Sequence, residues 1–237
     1  MDVKMNIHSS VPEPRRWRRG YYDLFSHFYD RIIALHSKDK NAYLRRFLLQ
    51  KSGASAGDRL LDICTGTGSV ALAAAGMLGP ESIVIGADFS RGMLKRASAK
   101  YSRPRDRATL FFVQADVAAL PFNSSTFQVV TCSHAMYELK PRTRDAALAE
   151  ARRVLITGGR FIMMEHCEPR TPFIRFLYNI RLAGMGSNHN QAFAQDEIPF
   201  LAEYFEDVTS EISPTGKSKV IYGHKGENGT DARRQRG

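Results

Sequence analysis

An α/β fold with a doubly wound, mainly parallel seven-stranded sheet and helices on both faces is predicted from three features. Apolar runs and helical segments alternate along most of the 237 residues, which is the pattern of βα units with a parallel sheet. A glycine turn, Gly66-Thr67-Gly68, joins the first apolar run to an alanine-rich helix. Two short apolar runs near the C-terminus, 208–212 and 219–222, are expected to form an antiparallel pair.

The elements follow one another in a regular order. Strands are predicted at about 59–64, 82–87, 109–114, 127–133 and 160–166. Helices are predicted at about 68–78, 90–101 and 142–155, with a last helix at 198–205. Strands one, four and five are expected to be neighbours, so the residues that follow them meet at one edge of the sheet.

The composition fits a globular chain with reduced cysteines. Apolar residues make up 43% and charged residues 24% of the chain, which is ordinary for a globular protein. No apolar run approaches the ~18 residues of a membrane span, and no secretory signal is expected. The three cysteines lack CxxC spacing, so reduced thiols and a cytoplasmic location are expected.

Basic residues outnumber acidic ones and give a formal net charge of +10. The densest cluster is Arg15-Arg16-Trp17-Arg18-Arg19. Such a cluster is typical of a contact with an anionic membrane, with nucleic acid or with an acidic partner. It is equally typical of a solvated, partly disordered arm. The membrane interpretation predicts a protein that associates peripherally with a membrane surface.

Acidic residues at two strand ends indicate a nucleoside-binding unit. Asp88 ends the second apolar run, where a carboxylate accepts hydrogen bonds from both ribose hydroxyls. Asp116 follows the third run, where it is placed to accept from the exocyclic amine of adenine. The glycine spacing also satisfies the loose dinucleotide pattern. Asp62, inside the first strand, favours S-adenosylmethionine, because its charge suits a sulfonium better than a pyrophosphate.

Four motifs in order resemble those of class I S-adenosylmethionine-dependent methyltransferases. They are Leu61-Asp62-Ile63-Cys64-Thr65-Gly66-Thr67-Gly68, Gly86-Ala87-Asp88-Phe89-Ser90 with Met93-Leu94, Gln114-Ala115-Asp116-Val117 with Leu120-Pro121-Phe122, and Glu150 to Gly159. Within the class, the chain is most similar to the ubiquinone/menaquinone-biosynthesis C-methyltransferase group, which shares Cys-Thr-Gly-Thr-Gly and an N-terminal Tyr-Asp…Tyr-Asp segment. The resemblance implies a Rossmann-like fold and S-adenosylmethionine as cofactor.

The resemblance also implies a division of the chain and a set of cofactor contacts. Residues 1–52 would form an N-terminal arm and helical lid, 53–225 the methyltransferase domain with a cap at about 170–195, and 226–237 a disordered tail. The expected cofactor-binding residues are Tyr22, Tyr29, Asp62, Cys64, Thr65, Gly66, Gly68, Asp88, Phe89, Met93, Asp116, Val117 and Ser133. Packing is an alternative role for Cys64, Phe89 and Met93.

The end of the fourth strand is expected to face the transferred methyl group. Glu138, His134 and His166 are the candidate catalytic bases, each with a structural role as the alternative. Quinone C-methyltransferases carry an Arg-Asn pair where this chain has Tyr137 and Glu138.

The first functional hypothesis is methyl transfer to a small, apolar or membrane-derived acceptor. The alternatives are an RNA methyltransferase and a non-catalytic S-adenosylmethionine-binding protein. Cys64, Cys132 and Cys167 are thiols of the kind that bind soft metals, but they lack zinc-type spacing, so no metal site is predicted.

Overall fold

The computed structural model describes residues 43–102, 106–167 and 197–227. The strands are β1 Arg59–Ile63, β2 Ile83–Asp88, β3 Thr109–Gln114, β4 Phe127–Ser133, β5 Leu155–His166, β6 Glu206–Ile212 and β7 Ser218–His224. The helices are α1 Tyr43–Ser52, α2 Ser69–Met77, α3 Arg91–Ala99, α4 Pro141–Val154 and α5 Glu197–Ala202, with a 3₁₀ turn at Met136–Glu138.

All seven strands belong to one sheet in the order β3-β2-β1-β4-β5-β7-β6. The first five strands pair in parallel, whereas β7 runs antiparallel to both β5 and β6. This confirms the predicted doubly wound, Rossmann-like sheet and its terminal antiparallel pair. The strand order reverses between β1 and β4, and ligands of such sheets bind outside the carboxyl ends of the strands at that point.

The sheet separates two apolar clusters, because successive side chains of a strand point to opposite faces. Leu60 of β1 packs on the face covered by α1 and α2. Leu61 and Ile63 pack on the other face, against α4 and α5. Helices therefore cover both faces, as the sequence predicted.

The largest departure from the predicted elements is the start of β5. It begins at Leu155, directly after α4, rather than near residue 160. Phe127 pairs with Leu155, but Val129 pairs with Arg160, so the extra residues of β5 form a bulge. Bulges and turns both favour glycine, so Gly158-Gly159 did not indicate that the strand had already begun. Helix ends also differ from the prediction by one to three residues.

The part of the N-terminal segment that the structure describes is helix α1. Leu44, Leu48 and Leu49 of this helix are buried against the sheet. Its C-terminal end is held by Arg160, whose guanidinium donates to the Lys51 carbonyl at 2.8 Å. The predictions for the basic arm, Tyr22, Tyr29, the cap and most of the tail lie outside the described residues. Within the described ranges, no helix is both long enough and apolar enough to cross a membrane.

Candidate active site

The turn after β1 is built from backbone conformations that favour glycine. Cys64, Gly66 and Gly68 have φ angles of 53°, 55° and 78°, all in the left-handed region that costs a non-glycine residue about 1–2 kcal/mol. The Thr65 N–H donates to the Ala87 carbonyl of β2 at 3.0 Å. The turn therefore follows the end of β2 closely.

The two glycines of this turn have different surroundings. A Cβ on Gly68 would lie 2.8 Å from Ala97 Cβ and 2.9 Å from the Phe112 ring, so this position needs glycine for packing. A Cβ on Gly66 would meet nothing within 4 Å. Gly66 therefore presents bare backbone to open space at the strand edge, where a ligand can approach closely.

Asp62 lies behind the turn rather than on its surface, with 1% of the residue exposed. Thr65 Oγ1 donates to Asp62 Oδ2 at 2.5 Å, and Thr131 Oγ1 of β4 donates to Oδ1 at 2.7 Å. Burial raises the pKa of Asp62 to about 6, against the hydrogen bonds from Thr65, Thr131 and the Ala71 backbone. These contacts make Asp62 the group that ties the turn to β4 and α2. Its predicted direct contact with the cofactor stays a prediction.

Asp88 bridges the glycine turn and the next loop. Its Oδ2 accepts from the Gly66 N–H at 2.8 Å, and its Oδ1 accepts from the Ser90 N–H at 2.9 Å. A carboxylate has about four lone-pair sites, so one carboxylate can accept from two backbone amides and from ribose hydroxyls together. Asp88 is thus fixed at the edge of the sheet beside the open Gly66.

The loop that carries Asp116 and Val117 is fixed from beneath. Asp116 Oδ1 accepts from the Ala118 N–H at 3.0 Å.

Arg153 of α4 donates to the carbonyls of Leu120 and Phe122 at 3.0 and 2.8 Å. Arg153 also pairs with Glu150 at 2.7 Å, and Glu150 Oε2 accepts from the Leu120 N–H at 2.7 Å. Burial acts to raise the pKa of Glu150, but the bonds from Arg153 and Leu120 lower it overall.

The remaining predicted cofactor residues, Met93, Phe89 and Cys64, differ in how deeply they are buried. Met93 is 3% exposed and packs within the interior beneath α3. Phe89 is half-buried at the end of β2, and its carbonyl accepts from Gln114 Nε2 at 2.9 Å. Cys64 is half-buried and packs beside the cluster that contains Cys132. The structure brings all of them to the edge of the sheet or just beneath it.

Two histidines meet where β4 and β5 end. The rings of His134 and His166 lie 4.0 Å apart between centroids and are tilted by 39°. Ser133 Oγ lies 2.9 Å from His134 Nδ1, and Ser218 Oγ of β7 lies 3.3 Å from His134 Nε2. Both nitrogens of His134 therefore have a hydroxyl neighbour, which fixes the ring that supports His166.

The 3₁₀ turn after β4 rests on a buried carboxyl. Glu165 is 5% exposed, and its Oε1 accepts from the Met136 N–H at 3.1 Å. Its Oε2 is buried and has no hydrogen-bond partner among the described residues. Burial, and then the nearby Glu197 carboxylate, raises the pKa of Glu165 well above its ordinary range. The turn presents Tyr137, whose hydroxyl donates to Glu138 Oε1 at 3.0 Å.

No group of three metal-ligating side chains is found in the part of the chain that the structure describes. Cys64 and Cys132 lie together, and Cys167 follows β5 with its N–H donating to the Lys217 carbonyl at 2.9 Å. The geometry gives no support to a soft-metal site made by the three thiols.

Three parts of the site were not predicted: Thr131 on Asp62, Ser218 on His134, and the Glu150–Arg153 pair. Thr131 and Ser218 contact residues 69 and 84 positions away. No local pattern signals such contacts. The Glu150–Arg153 spacing of three on a predicted helix was the one available signal.

The geometry fits a bound nucleoside. The open backbone at Gly66, the adjacent Asp88 carboxylate and the fixed Asp116 loop lie at the carboxyl ends of β1, β2 and β3. These are the positions where an α/β sheet binds the ribose and base of a ligand.

Comparisons with known proteins agree with this arrangement. A demethylmenaquinone methyltransferase of Lactobacillus johnsonii is 31% identical over 178 residues, which cover 74% of this chain and 70% of the relative. A ubiquinone/menaquinone biosynthesis C-methyltransferase of Hahella chejuensis is 31% identical over 67% of this chain and 63% of its own length. A solved S-adenosylmethionine-dependent methyltransferase from Methanosarcina mazei has the same fold, with a TM-score of 0.58 and 20% identity over 76% of this chain and 97% of that one.

The alignments to the two curated relatives thus span 63–70% of their lengths. The family model described as the ubiE/COQ5 methyltransferase family matches residues 17–210, which is most of the sequence. The chain therefore belongs to the ubiE/COQ5 family and is an S-adenosylmethionine-dependent methyltransferase with S-adenosylmethionine as its cofactor.

Proposed function

We propose that this chain methylates a small, apolar acceptor with a hydroxylated ring, of the reduced-quinone class. The observation that carries the proposal is the His134–His166 pair at the carboxyl ends of β4 and β5, on the side of the sheet away from the nucleoside positions. The names of the relatives support the same class of acceptor, since both refer to methyl transfer in quinone biosynthesis.

The chemistry requires little from the protein beyond alignment and one proton transfer. S-adenosylmethionine supplies an activated methyl group on a sulfonium. A ring carbon becomes nucleophilic when a neighbouring ring hydroxyl loses its proton, so a base beside that hydroxyl is useful. The residues must also hold the ring and the donor in line and exclude water.

His166 is the base in this proposal, and His134 supports it. Two imidazolium rings 4.0 Å apart would repel each other, so the pair holds one additional proton at a time. His134 is flanked by the hydroxyls of Ser133 and Ser218, which hold its ring in place. We assign the base to His166 because it ends β5 and its ring lies 6.2 Å from the Tyr137 ring, beside the turn that is expected to face the acceptor. Glu138, paired with Tyr137, is the alternative base.

We propose that the methyl donor, S-adenosylmethionine, is held by the cofactor-binding residues that the sequence predicts. Asp88 would hold the ribose, Asp116 and Val117 the adenine, and the turn from Cys64 to Gly68 the remainder. Tyr22 and Tyr29 would close over the cofactor from the N-terminal lid.

The test is a methyl-transfer assay with labelled S-adenosylmethionine and a reduced naphthoquinone that lacks the ring methyl group. Label is expected in the naphthoquinol, and His166→Gln is expected to lower kcat by about 100-fold or more while the affinity for S-adenosylhomocysteine stays unchanged. Tyr137→Phe is the matched control, because it removes one hydroxyl from the same region without removing a base. Label in an RNA fraction instead would favour an RNA methyltransferase, and binding without any transfer would favour a non-catalytic protein.

A second part of the proposal concerns where the acceptor is found. The basic cluster Arg15-Arg16-Trp17-Arg18-Arg19 is proposed to dock on an anionic membrane surface, from which an apolar acceptor reaches the site. Tryptophan favours the lipid interface, and each nearby basic residue adds about 1 kcal/mol on an anionic surface. The full chain is expected to co-sediment with anionic but not neutral vesicles, and a variant lacking residues 1–19 is expected to stay in solution. Absence of binding at low salt would overturn this part alone.

A further inference from the structure

We propose that Cys64 and Cys132 are a modification site: a peroxide or a low-molecular-weight disulfide converts the two thiols to a disulfide that blocks the cofactor turn. Both cysteines are free thiols in the structure. The proposal concerns S-adenosylmethionine binding and is independent of the identity of the methyl acceptor.

The register of the sheet places the two residues at disulfide distance. Ile63 of β1 pairs with Cys132 of β4, so Cys64 is offset from Cys132 by one strand spacing and one residue rise. With about 4.8 Å between strands and about 3.3 Å per residue, the two Cα atoms are about 5.8 Å apart. Disulfides form readily across about 4.4–6.8 Å.

The backbone at Cys64 brings its side chain to the correct face. In a regular strand, Cys64 would point away from the face that Ile63 and Cys132 share, because side chains alternate. The left-handed φ of 53° ends the strand at this residue. The Cys64 side chain packs beside the apolar cluster that contains Cys132, and the two thiols are close enough for Cys64 to raise the pKa of Cys132.

The exposure of the two thiols assigns their order of reaction. Cys64 is half-buried and reachable from solvent, whereas Cys132 is 0% exposed. The hydrogen bond to Cys64 and burial raise the pKa of the Cys132 thiol, so Cys132 keeps its proton and donates to the Cys64 sulfur. Cys64 is therefore the thiol that reacts first, and Cys132 is the resolving thiol.

The oxidation proceeds in two steps. The Cys64 sulfur attacks one oxygen of hydrogen peroxide, giving a sulfenic acid, and the proton of the Cys64 thiol leaves in the first water. The Cys132 sulfur then attacks the Cys64 sulfur, forming the S–S bond, and the hydroxyl of the sulfenic acid leaves with the Cys132 proton as the second water. The cysteines lose two electrons together, and the peroxide gains them. With a small disulfide as oxidant, a mixed disulfide replaces the sulfenic acid and two small thiols leave.

The disulfide would change the cofactor turn itself. Cys64 lies between Asp62, which anchors the turn, and Gly66, whose N–H donates to Asp88. The S–S bond would fix the Cys64 side chain to β4 at the distance that the two strands already have, so the turn that carries both contacts could no longer adjust to a bound ligand. We expect this loss of adjustment at Gly66 and Asp88 to weaken nucleoside binding.

The experiment uses the full chain with Cys167→Ser, so that the remaining thiols are the two in question. Treatment with hydrogen peroxide or oxidised glutathione is expected to remove two hydrogen atoms by intact mass and to join the Cys64 and Cys132 peptides. Affinity for S-adenosylhomocysteine is expected to fall by at least about 10-fold and to return after reduction. Bound S-adenosylhomocysteine is expected to slow the oxidation.

Two variants test the order of reaction and the cause of the loss. Cys132→Ser is expected to stop at a sulfenic acid or mixed disulfide on Cys64, whereas Cys64→Ser is expected to leave Cys132 unreacted in the folded protein. Failure of the two peptides to join, or a joined protein that binds S-adenosylhomocysteine with unchanged affinity, would overturn the proposal. S-adenosylhomocysteine binding by the reduced protein provides the reference that keeps this result separate from the methyl-acceptor assay.

Discussion

Two buried carboxyls at the same edge of the sheet differ in how many of their oxygens accept hydrogen bonds. Asp62 lies at the donor end, which we define as the carboxyl ends of β1, β2 and β3. Both of its oxygens accept hydrogen bonds, from Thr65 and Thr131. Glu165 lies at the acceptor end, the carboxyl ends of β4 and β5 with the first residue of β7. One of its oxygens has no partner among the described residues.

The difference shows how the two ends divide the work of the enzyme. The donor end is where we propose that the cofactor binds, and the same cofactor serves every turnover, so a short turn and two strand ends suffice to set its contacts. The acceptor end is built by side chains from three strands and a 3₁₀ turn, which can vary without disturbing the sheet. Burial and the Glu197 carboxylate raise the pKa of Glu165 at this end, and such shifts are common at sites of chemistry.

The largest expected effect comes from removing the donor-end carboxyl. Asp62→Ala is expected to lower the free energy of unfolding by about 3–5 kcal/mol, because it leaves the Thr65 and Thr131 hydroxyls and the Ala71 N–H without their acceptor. Chemical denaturation measures this loss. A change below about 1 kcal/mol would mean that Asp62 does not organise the turn.

Asp62→Asn separates the charge of this group from its hydrogen bonds. The folded pKa of about 6 lies above the usual value of 3.8, so the folded protein holds this proton to higher pH than the unfolded chain. Stability from Asp62 is therefore fully present below pH 4 and is lost as pH rises through 6, by on the order of 2–3 kcal/mol. The Asn variant is expected to lack this decline, and parallel pH curves for the two proteins would contradict the assignment.

A matched pair of glycine substitutions tests which glycine of the turn is required for packing and which is required for ligand binding. Gly68→Ala is expected to cost about 2–4 kcal/mol of stability, from the left-handed φ and the clash with Ala97. Gly66→Ala is expected to cost about 1–2 kcal/mol from its φ alone, since its Cβ meets nothing. Calorimetry should nevertheless show that Gly66→Ala loses more affinity for S-adenosylhomocysteine, relative to its loss of stability, than Gly68→Ala does. The opposite ranking would place the ligand away from Gly66.

The donor end could be predicted from the sequence because its parts are close together in the chain or repeat at each strand end. The run from Asp62 to Gly68 joins the end of β1 to the N-cap of α2 through one turn, and Asp88 ends the next strand. The acceptor end could be predicted only as a list of candidates. His134 meets His166 and Ser218 through the parallel pairing of β4 and β5 and the antiparallel pairing of β5 and β7, and sequence periodicity does not give that register.

A smaller effect is expected for the proposed ribose ligand at the donor end. Asp88→Ala is expected to weaken S-adenosylhomocysteine binding by about 1.5–3 kcal/mol, since the ribose hydroxyls lose a charged acceptor. Asp88→Asn keeps one acceptor oxygen and is expected to lose less. The Gly66 and Ser90 amides also bond to Asp88, so unfolding curves must confirm that both variants are folded. Unchanged affinity in a folded Asp88→Ala protein would remove Asp88 from the binding site.

The smallest expected effect concerns Glu165 at the acceptor end, where, as for Asp62, the raised pKa makes stability fall as pH rises. Burial and the Glu197 carboxylate raise the pKa of Glu165, so the folded protein keeps a proton that the unfolded chain releases near pH 4.3. Stability from this group is present below that pH and is lost as pH rises towards the folded pKa. Glu165→Gln keeps the shape and the bond to Met136 without ionising, so its stability relative to the native protein is expected to rise as the pH increases from 5 to 7. Glu203→Gln, at an exposed position directly after α5, is the control for a carboxyl-to-amide change at the surface. If the native and Glu165→Gln curves stay parallel over this interval, the acceptor-end carboxyl ionises like an exposed one, and the contrast between the two ends does not hold.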